Sequence, residues 1–445
     1  MKASQILIIF LILSINSLIA NSKIKSHNPS HFLTKYNKKI QQKQSESQDK
    51  CYGIVFDCGS SGTRYYVYQW ECRSESSLPQ LDFSQILSEK VNNPIAKHYT
   101  NPQALDSIFN PFFNKIKSII PEDKHSSTLL MLGATAGMRL ITKMQQFVII
   151  DRIRTLFRNS GFLFLGDDRS RVINGEEEAV FLWVAVNYML KNISLESDVD
   201  NPETVTTIDI GGASTQIAFS DIIDNQEAEE FYTLQVPQLP EQKFNFTLKG
   251  ASELLGMDVS RYEILQSEVK ADNISYASCF NQGFENNDTR LGKIVKGQGN
   301  PENCINKIRN LFQISNCSYP DEKNCSAKSI FIKGPQGKTT YAVSAALYAK
   351  LAYFGDVPEF NPHDLRNAAI EFCKQKHQDV VAKEPKNKFI DIKCYQGLYA
   401  STLLIDGYGV GDMQIQSPSE IQTQEPTWAL GLLLFELSKR NSDSR

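Results

Sequence analysis

The sequence predicts an α/β protein with more than one domain, and three observations support that prediction. The chain has 445 residues, more than one small core usually organises. From Cys51 onward, short runs rich in β-branched residues alternate with stretches of helical periodicity. One strand–turn–strand pattern also occurs twice, beginning at Asp57 and again at Asp209.

The individual elements follow in chain order. The clearest predicted strands are residues 54–57, 65–68, 129–132, 206–210 and 215–219. The clearest predicted helices are residues 104–119, 145–159 and 177–190. Residues 195–203 are acidic and contain proline, which predicts a surface loop. Residues 428–435 are apolar but far shorter than the roughly 18 residues of a membrane helix, so they predict a buried helix.

The N-terminus has the pattern of a signal peptide over residues 1–22. Lys2 precedes an apolar run at residues 6–13, and the small residues Ala20 and Ser22 occupy the −3 and −1 positions of a cleavage site. The run is short for a membrane span, so no span is predicted in the mature chain, and an uncleaved anchor is the alternative. Residues 23–50 are polar and predict a spacer outside any core. A secreted or lumenal location follows, either extracellular or in the endoplasmic reticulum or Golgi.

The charge balance excludes some partners. The formal net charge is −3 with 22% charged residues, so no overall field attracts nucleic acid, and no nucleic-acid partner is expected. Any binding of a polyanion must be local. No pattern in the sequence indicates an oligomeric state.

Secretion makes the nine cysteines interpretable as disulfides. A hairpin turning about residues 61–62 would place Cys51 opposite Cys72, within bridging distance. Three further pairs are predicted, namely Cys279–Cys304, Cys317–Cys325 and Cys373–Cys394. Cys58 remains, and we expect it to be a free, buried thiol. Residues 266–328, rich in Asn and Cys, predict a disulfide-stapled insertion. Six glycosylation sequons agree with a lumenal route, at Asn192, Asn245, Asn273, Asn287, Asn316 and Asn324.

The internal repeat pairs residues 57–64, DCGSSGTR, with residues 209–216, DIGGASTQ. Each segment follows an apolar strand and precedes a second one, so each Asp ends a strand beside a turn of small residues. Two ordinary glycine-rich hairpins are the alternative. If the turns face each other, they form a two-sided clamp for an anion.

Small residues in such turns let backbone amides approach phosphate oxygens closely. The first turn offers amides and hydroxyls from residues 59–63, including Ser60, Ser61 and Thr63. The second offers residues 211–215, including Gly212 and Ala213. An Asp in each turn would repel phosphate unless a divalent cation lies between them. Asp57 and Asp209 therefore imply Mg²⁺ or Ca²⁺, held mostly through water.

A base that activates water is also needed. Residues 175–183, GEEEAVFLW, place Glu176, Glu177 and Glu178 at a helix start, where acids commonly complement the helix dipole. One of them could instead orient water toward the terminal phosphorus. The residues alone leave open which of the three does so.

The chain resembles the apyrases, or nucleoside triphosphate diphosphohydrolases, over most of residues 51–440. The five signature regions of that family occur in order, at residues 57–64, 133–139 (GATAGMR), 175–188, 209–216 and 428–431 (WALG). The resemblance implies two actin-like, ribonuclease-H-like lobes with a nucleotide cleft between them. It implies lobe I at residues 51–178, completed by 418–445, and lobe II at residues 179–417, which holds the insertion.

The resemblance also assigns roles. It implies Glu178 as the general base and Ser214 with Gln216 as the residues that hold the water. Asp57 and Asp209 match the acids around the metal, and the phosphate-binding positions match Ser60, Ser61, Thr63 and Thr135. Arg64 is expected to contact phosphate or to form a salt bridge, and Arg139 to brace its loop. Tyr408 resembles the aromatic residue that stacks on the base.

The chain departs from the family pattern at three positions. Ala179 stands where Gly is usual, and Cys58 replaces Ala. Gly62 stands where membrane-bound cell-surface members tend to have His, which favours the soluble, Golgi or plant-type members.

The predicted function is cation-dependent hydrolysis of the terminal phosphate of nucleoside tri- and/or diphosphates. The alternatives are an exopolyphosphatase-type enzyme, a phosphotransferase of the hexokinase type and an inactive secreted nucleotide-binding protein. Secretion, disulfides and Trp428 argue against the first. The Glu178, Ser214 and Gln216 set argues against the other two.

Overall fold

The computed structural model describes residues 49–72, 78–193, 203–220, 232–237, 243–312 and 339–440. The predicted signal peptide, nearly all of the predicted spacer and the Cys317–Cys325 pair lie outside these residues, as does most of the predicted loop at 195–203. All of the helices and strands named below belong to one compact unit, Lys50–Arg445.

The first sheet has five strands in the order β3-β2-β1-β4-β5. Its strands are β1 (Lys50–Cys58), β2 (Thr63–Glu71), β3 (Leu87–Val91), β4 (Leu129–Ala134) and β5 (Ser170–Val172). The first three strands are antiparallel neighbours, whereas β4 runs parallel to β1 and β5 runs parallel to β4.

The second sheet has seven strands in the order β14-β15-β13-β6-β7-β9-β8. Its strands are β6 (Thr206–Ile210), β7 (Thr215–Ser220), β8 (Tyr232–Pro237), β9 (Lys243–Glu253), β13 (Thr340–Ser344), β14 (Glu359–Phe360) and β15 (Ile415–Gln416). A separate three-stranded sheet contains β10 (Ile274–Ala277), β11 (Glu285–Asp288) and β12 (Lys293–Gly297).

The two large sheets share one topology. In the second sheet, β6, β7 and β9 are antiparallel neighbours, and β13 and β15 follow β6 in parallel. This is the arrangement of β1, β2, β3, β4 and β5 in the first sheet. Asp57 and Asp209 occupy the penultimate positions of the equivalent strands β1 and β6. The predicted fold class, α/β with two actin-like lobes, is therefore confirmed.

Eleven α-helices lie in the described part of the chain. They are α1 (Asp106–Lys117), α2 (Ala136–Arg139), α3 (Lys143–Arg158), α4 (Gly175–Met189), α5 (Met257–Ser267), α6 (Pro301–Phe312), α7 (Ala345–Phe354), α8 (Pro362–Cys373), α9 (His377–Lys383), α10 (Ile390–Thr402) and α11 (Trp428–Arg440). The buried helix predicted at residues 428–435 corresponds to α11. The predicted lobe boundary between residues 178 and 179 falls inside α4, and it stays a prediction.

Helix α4 is buried on nearly every side, because its sequence after the acidic first turn is apolar all round. It packs on β6, β7 and β9 of the second sheet and against α11. Helix α11 in turn contacts β1 of the first sheet. These two crossed helices therefore connect the elements that carry Asp57 with those that carry Asp209.

Three predicted disulfides are present, with Cα–Cα distances of 5.0 Å for Cys51–Cys72, 4.9 Å for Cys279–Cys304 and 5.0 Å for Cys373–Cys394. Cys58 is free and buried, as expected. The hairpin register differs from the prediction, since Cys51 pairs with Trp70 and Cys72 lies just beyond β2. The turn is centred one position earlier than predicted, and the disulfide still closes across the strand end. None of the described helices has the length and apolar character of a membrane span.

Candidate active site

The two repeated turns have the same local geometry. The amide of Gly59 donates to the carbonyl oxygen of Gly62 at 3.0 Å, and the amide of Gly211 donates to that of Ser214 at 2.9 Å. The turns also face each other: a Cβ added to Gly212 would lie 3.3 Å from Ser60 Oγ. The structure therefore brings the two predicted phosphate-binding loops into contact distance.

The two aspartates immediately precede these turns, at equivalent positions of β1 and β6. Burial raises the pKa of Asp57 to about 7, with Arg64 opposing the shift and Asp209 adding to it. Burial also raises the pKa of Asp209, against a hydrogen bond from Ser344. Because the charge of Asp209 acts on Asp57, the two carboxyl groups share one region of the molecule.

The residues fit a divalent cation. Asp209 Oδ1 is buried and has no hydrogen-bond partner among the described residues, so its negative charge is poorly compensated. Within the same residues, no group of three or more His, Cys, Asp or Glu side chains is placed to hold a metal ion. Two carboxylates, with water and substrate oxygens completing the shell, suit Mg²⁺ or Ca²⁺.

The structure distinguishes the acids at the start of α4. Glu177 belongs to a capping box with Asn174 and forms a bidentate pair with Arg171, at 2.7 and 2.6 Å. Glu178 instead is only 7% exposed, and burial raises its pKa to about 8. Arg139 opposes that shift, whereas Asp209 and Asp57 add to it. Glu178 is thus the acid that faces the two aspartates.

Arg139 connects three segments of the site. Its Nη2 donates to Glu178 Oε2 at 2.9 Å and to Ser214 Oγ at 3.0 Å. Its Nη1 donates to the carbonyl oxygen of Ile173 at 3.2 Å, just before α4. The expectation that Arg139 only braces its own loop was incomplete, because it touches two residues assigned to catalysis.

Ser214 and Gln216 lie together, as the resemblance implies. Gln216 Nε2 donates to Ser214 Oγ at 2.6 Å and to Ser252 Oγ at 3.0 Å. Ser252, on β9, packs against the first residue of α4, where a Cβ on Gly175 would approach its Oγ to 2.1 Å. The pair that the resemblance assigns to holding water is therefore joined, through Ser252, to the contact between β9 and α4.

The predicted first phosphate loop, residues 59–63, has one side that faces solvent and one side that is buried. Ser60 is half-buried, and Ser61 is exposed and accepts from Lys90 Nζ at 3.2 Å. Thr63 is fully buried, and its hydroxyl donates to the carbonyl oxygen of Asn93 at 2.9 Å. The structure does not bring the Thr63 hydroxyl to the solvent-facing side of the loop.

Arg64 and Thr135 lie at the edges of that loop. Arg64 forms the predicted salt bridge, to Glu425 Oε2 at 3.1 Å, and donates to the Tyr66 hydroxyl at 2.7 Å. Thr135 is buried and precedes the short helix α2, and its amide donates to the carbonyl oxygen of Cys58 at 3.1 Å. This bond fixes the second signature region against the first.

Tyr408 is not on an open surface. It is 5% exposed within the core of the second sheet, and its hydroxyl lies 2.8 Å from Thr215 Oγ1. Burial raises its pKa well above the usual range. Its hydroxyl thus contacts the last residue of the second predicted phosphate loop, but its ring is packed in the core, so a base cannot stack on it in the present conformation.

Close packing explains the residue type at two positions of the last signature region, residues 428–431. Trp428 packs on Gly133, the register partner of Asp57, where a Cβ would lie 2.6 Å from the indole ring. A Cβ on Gly431 would lie 1.7 Å from the carbonyl oxygen of Phe181 on α4. Trp428 and Gly431 thus pack α11 closely against β4 and α4, the elements that carry Gly133 and Phe181.

Sequence reasoning missed Ser252, Lys90 and Ser344 as neighbours of the site. No pattern near Ser252 or Lys90 marks them, because strand register decides what they face. Ser344 is the last residue of β13, the strand equivalent to β4, which Thr135 follows. Its positive φ of 59° is uncommon for a residue other than glycine. The strand order, once known, points to it.

Two matching α/β lobes whose acid-bearing turns meet beside a buried glutamate define a protein of the actin-like nucleotide-phosphatase class. The model of the GDA1/CD39 (nucleoside phosphatase) family matches residues 43–444, and the chain belongs to that family.

Named relatives agree. The chain is 26% identical over 430 residues to ectonucleoside triphosphate diphosphohydrolase 1 of Mus musculus, covering 86% of this chain and 80% of that protein. It is 26% identical over 439 residues to nucleoside-diphosphatase mig-23 of Caenorhabditis briggsae, covering 88% and 78%. A crystal structure of nucleoside triphosphate hydrolases from Neospora caninum has the same fold, with a TM-score of 0.61, 15% identity and coverage of 93% and 97%.

Proposed function

We propose that this protein hydrolyses the terminal phosphate of nucleoside tri- and diphosphates with a water molecule that Glu178 activates. One observation carries the proposal: a buried glutamate with a pKa raised to about 8 faces the two acid-bearing turns. Glu178 accepts a proton only in its ionised form, and a raised pKa makes that form a stronger base. Family membership supports the substrate class.

The chain's own groups account for each part of the reaction. The turn amides and the Ser60 and Ser61 hydroxyls bind phosphate oxygens, and Ser214 with Gln216 holds the water. The water oxygen bonds to the terminal phosphorus as the bond to the bridging oxygen breaks. Glu178 takes the water proton, so the products are orthophosphate and a nucleotide shortened by one phosphate. No phosphoenzyme forms.

Asp57 and Asp209 would hold Ca²⁺ or Mg²⁺, and the orphaned buried oxygen of Asp209 supports that assignment. When bound, the cation neutralises phosphate charge and withdraws electron density from the terminal phosphorus.

The test is phosphate release by the purified protein with ATP, ADP and polyphosphate as separate substrates. Glu178→Gln should lower kcat at least about a thousandfold, since an amide cannot accept the proton. Arg171→Met, beside the neighbouring Glu177, is the matched control and should keep most of the activity. Release from polyphosphate but not from ADP would reject the proposal, as would near-normal rates in Glu178→Gln.

The proposed location is secreted or lumenal, with residues 1–22 as a signal peptide. Three disulfides support it, because such bonds persist in oxidising compartments. Sequencing the N-terminus of the protein exported from its own cells tests cleavage after residue 22. Glycosidase treatment of the same sample tests the sequons.

A further inference from the structure

We propose that Arg139 is a positioning residue for this reaction, which makes the Ser214 hydroxyl a hydrogen-bond donor and holds Glu178 beside it as the proton acceptor. The inference rests on the proposed function and names a part of its machinery that the sequence did not reveal. It follows from a count of donors and acceptors around one buried hydroxyl.

The Ser214 hydroxyl has two lone pairs and one proton. Ser214 is 3% exposed, and its Oγ accepts from Gln216 Nε2 at 2.6 Å and from Arg139 Nη2 at 3.0 Å. Both donors are nitrogen groups that cannot accept in return. The two lone pairs are therefore occupied, and the hydroxyl proton is free to be donated to a water or phosphate oxygen.

The same nitrogen of Arg139 fixes the base. Nη2 carries two protons, of which one reaches Ser214 Oγ and the other reaches Glu178 Oε2 at 2.9 Å. The ion pair is largely shielded, with the Arg139 and Glu178 side chains 17% and 9% exposed. Donor and acceptor are thus held side by side, and Glu178 Oε1 is the oxygen on which a water proton can land.

The guanidinium is itself anchored, since Nη1 donates to the carbonyl oxygen of Ile173. Lysine has one nitrogen on a flexible stem, so it can keep the positive charge but not the planar fork. The proposal therefore separates two effects: charge next to Glu178, and orientation of Ser214.

The charge effect can be read from pH. The charged groups that reach Glu178 are Arg139 from the end of α2, Asp209 from β6 and Asp57 from β1. Arg139 is the one that lowers the pKa of Glu178, so Arg139→Met should move the acid limb of kcat/KM to higher pH by a unit or more. Arg139→Lys should leave the limb near the wild-type position and lower kcat about tenfold to a hundredfold, with little change in KM.

The orientation effect can be read from a double-mutant cycle. If Arg139 acts through Ser214, Arg139→Lys should cost much less in a Ser214→Ala background than in the wild type. Arg171→Met is the control, because Arg171 makes an equally close pair with Glu177 on the same helix turn. Arg171→Met should leave the acid limb of kcat/KM where it is, and its effect on kcat should be the same in the Ser214→Ala background as in the wild type.

The inference would be overturned if the acid limb of kcat/KM did not move in Arg139→Met. It would also be overturned if the losses of kcat from Arg139→Lys and Ser214→Ala simply multiplied in the double variant. Neither result would contradict the proposed hydrolase activity. If the wild type released no phosphate, the proposed function would fall. The positioning of Glu178 would then be tested by carbon-13 NMR of labelled glutamate, with Glu178→Gln identifying the signal. Its pKa should rise in Arg139→Met and stay fixed in Arg171→Met, and an unchanged pKa in Arg139→Met would overturn the inference.

Discussion

At position 62, the absence of a side chain is a packing requirement. The carbonyl oxygen of Val91 lies 2.3 Å from the place of a Cβ on Gly62, and Lys90 Cε lies 3.1 Å from it. The end of β3 therefore rests directly on the first phosphate loop. Any side chain at this position would have to displace the end of β3.

Gly62→Ala should lower the free energy of unfolding by about 1–3 kcal/mol, the usual range for overpacking. Gly59→Ala, in the same loop, is the control, because its nearest neighbour would be 3.8 Å from the new Cβ. Denaturant unfolding of both variants measures the difference. Equal stability in the two would show that β3 moves away from the loop easily.

The pKa of Glu178 has consequences at this scale for stability as well as activity. Its folded-state pKa of about 8 exceeds the usual value of 4.5 for a glutamate, so the folded protein holds the proton more tightly than the unfolded chain does. The contribution to stability is complete below about pH 4.5 and is lost as pH rises through about 8.

Because the base must be ionised, kcat/KM should rise with pH along an acid limb. A cation bound between Asp57 and Asp209 should place that limb below the pKa of about 8 that Glu178 has in the metal-free protein. The metal-free protein should lose thermal stability as pH rises through about 8. Glu178→Gln, which cannot titrate, should show a flatter dependence of Tm on pH between 5 and 8. A wild-type Tm profile identical to that of the variant would contradict the assigned proton affinity.

At the scale of elements, the crossing of α4 and α11 holds the site together from below. Gly431 allows α11 to approach the backbone of α4 at Phe181, and Trp428 covers Gly133 one turn earlier. The signature WALG therefore encodes a helix contact. Its Gly serves the packing of α11 on α4, and its Trp serves the packing of α11 on β4 beside Asp57.

Gly431→Ala tests this contact, because it should lower the free energy of unfolding where the same change in an ordinary helix would raise it. In an ordinary helix interior, glycine to alanine is stabilising by about 1 kcal/mol. Here the added Cβ meets the Phe181 carbonyl oxygen, so we expect a loss of at least about 2 kcal/mol in the free energy of unfolding. Ser438→Ala, on the same helix, should change stability by less than about 0.5 kcal/mol. Calorimetry or urea unfolding measures both.

Elements and pairings were predictable where local pattern decides them. The apolar run at residues 206–210 predicted β6 with its observed bounds. The small residues after Asp57 and Asp209 predicted both turns. The sequence also predicted the three disulfides that the described residues contain. It placed the centre of the first hairpin turn one residue too late, however. Register depends on the closing bond between Gly59 and Gly62, which sequence spacing alone does not specify.

The site was predictable only in part, for a related reason. Asp57, Glu178 and Ser214 stand in recognisable motifs, whereas the contact of Arg139 with the last two joins segments far apart in the chain. The burial of Thr63 and Tyr408 also depends on tertiary packing. Residues of the same type in the same motif can face the substrate or the core, and periodicity does not tell which.

For the whole molecule, the paired sheets place two half-buried aspartates in one region, and Asp209 Oδ1 has no hydrogen-bond partner among the described residues. A bound divalent cation should therefore stabilise the folded state. At one hundred times its Kd, a ligand that binds only the folded form adds about 2.7 kcal/mol.

Addition of Ca²⁺ or Mg²⁺ to protein treated with chelator should raise Tm by several degrees. Asp57→Asn and Asp209→Asn should each lose most of that increase. Asp82→Asn, which changes an exposed 3-10 helix cap away from the turns, should keep it. A cation effect of equal size in all four proteins would place the ion elsewhere.

The contact of Trp428 with Gly133 also bears on how the protein is made. Gly133 is the register partner of Asp57, so the strand that carries the first acid is packed by a segment translated hundreds of residues later. A nascent chain still attached to the ribosome, with α11 inside the exit tunnel, has both acid-bearing turns but lacks the helix beneath them. Catalytic competence should therefore arise only once α11 has left the exit tunnel.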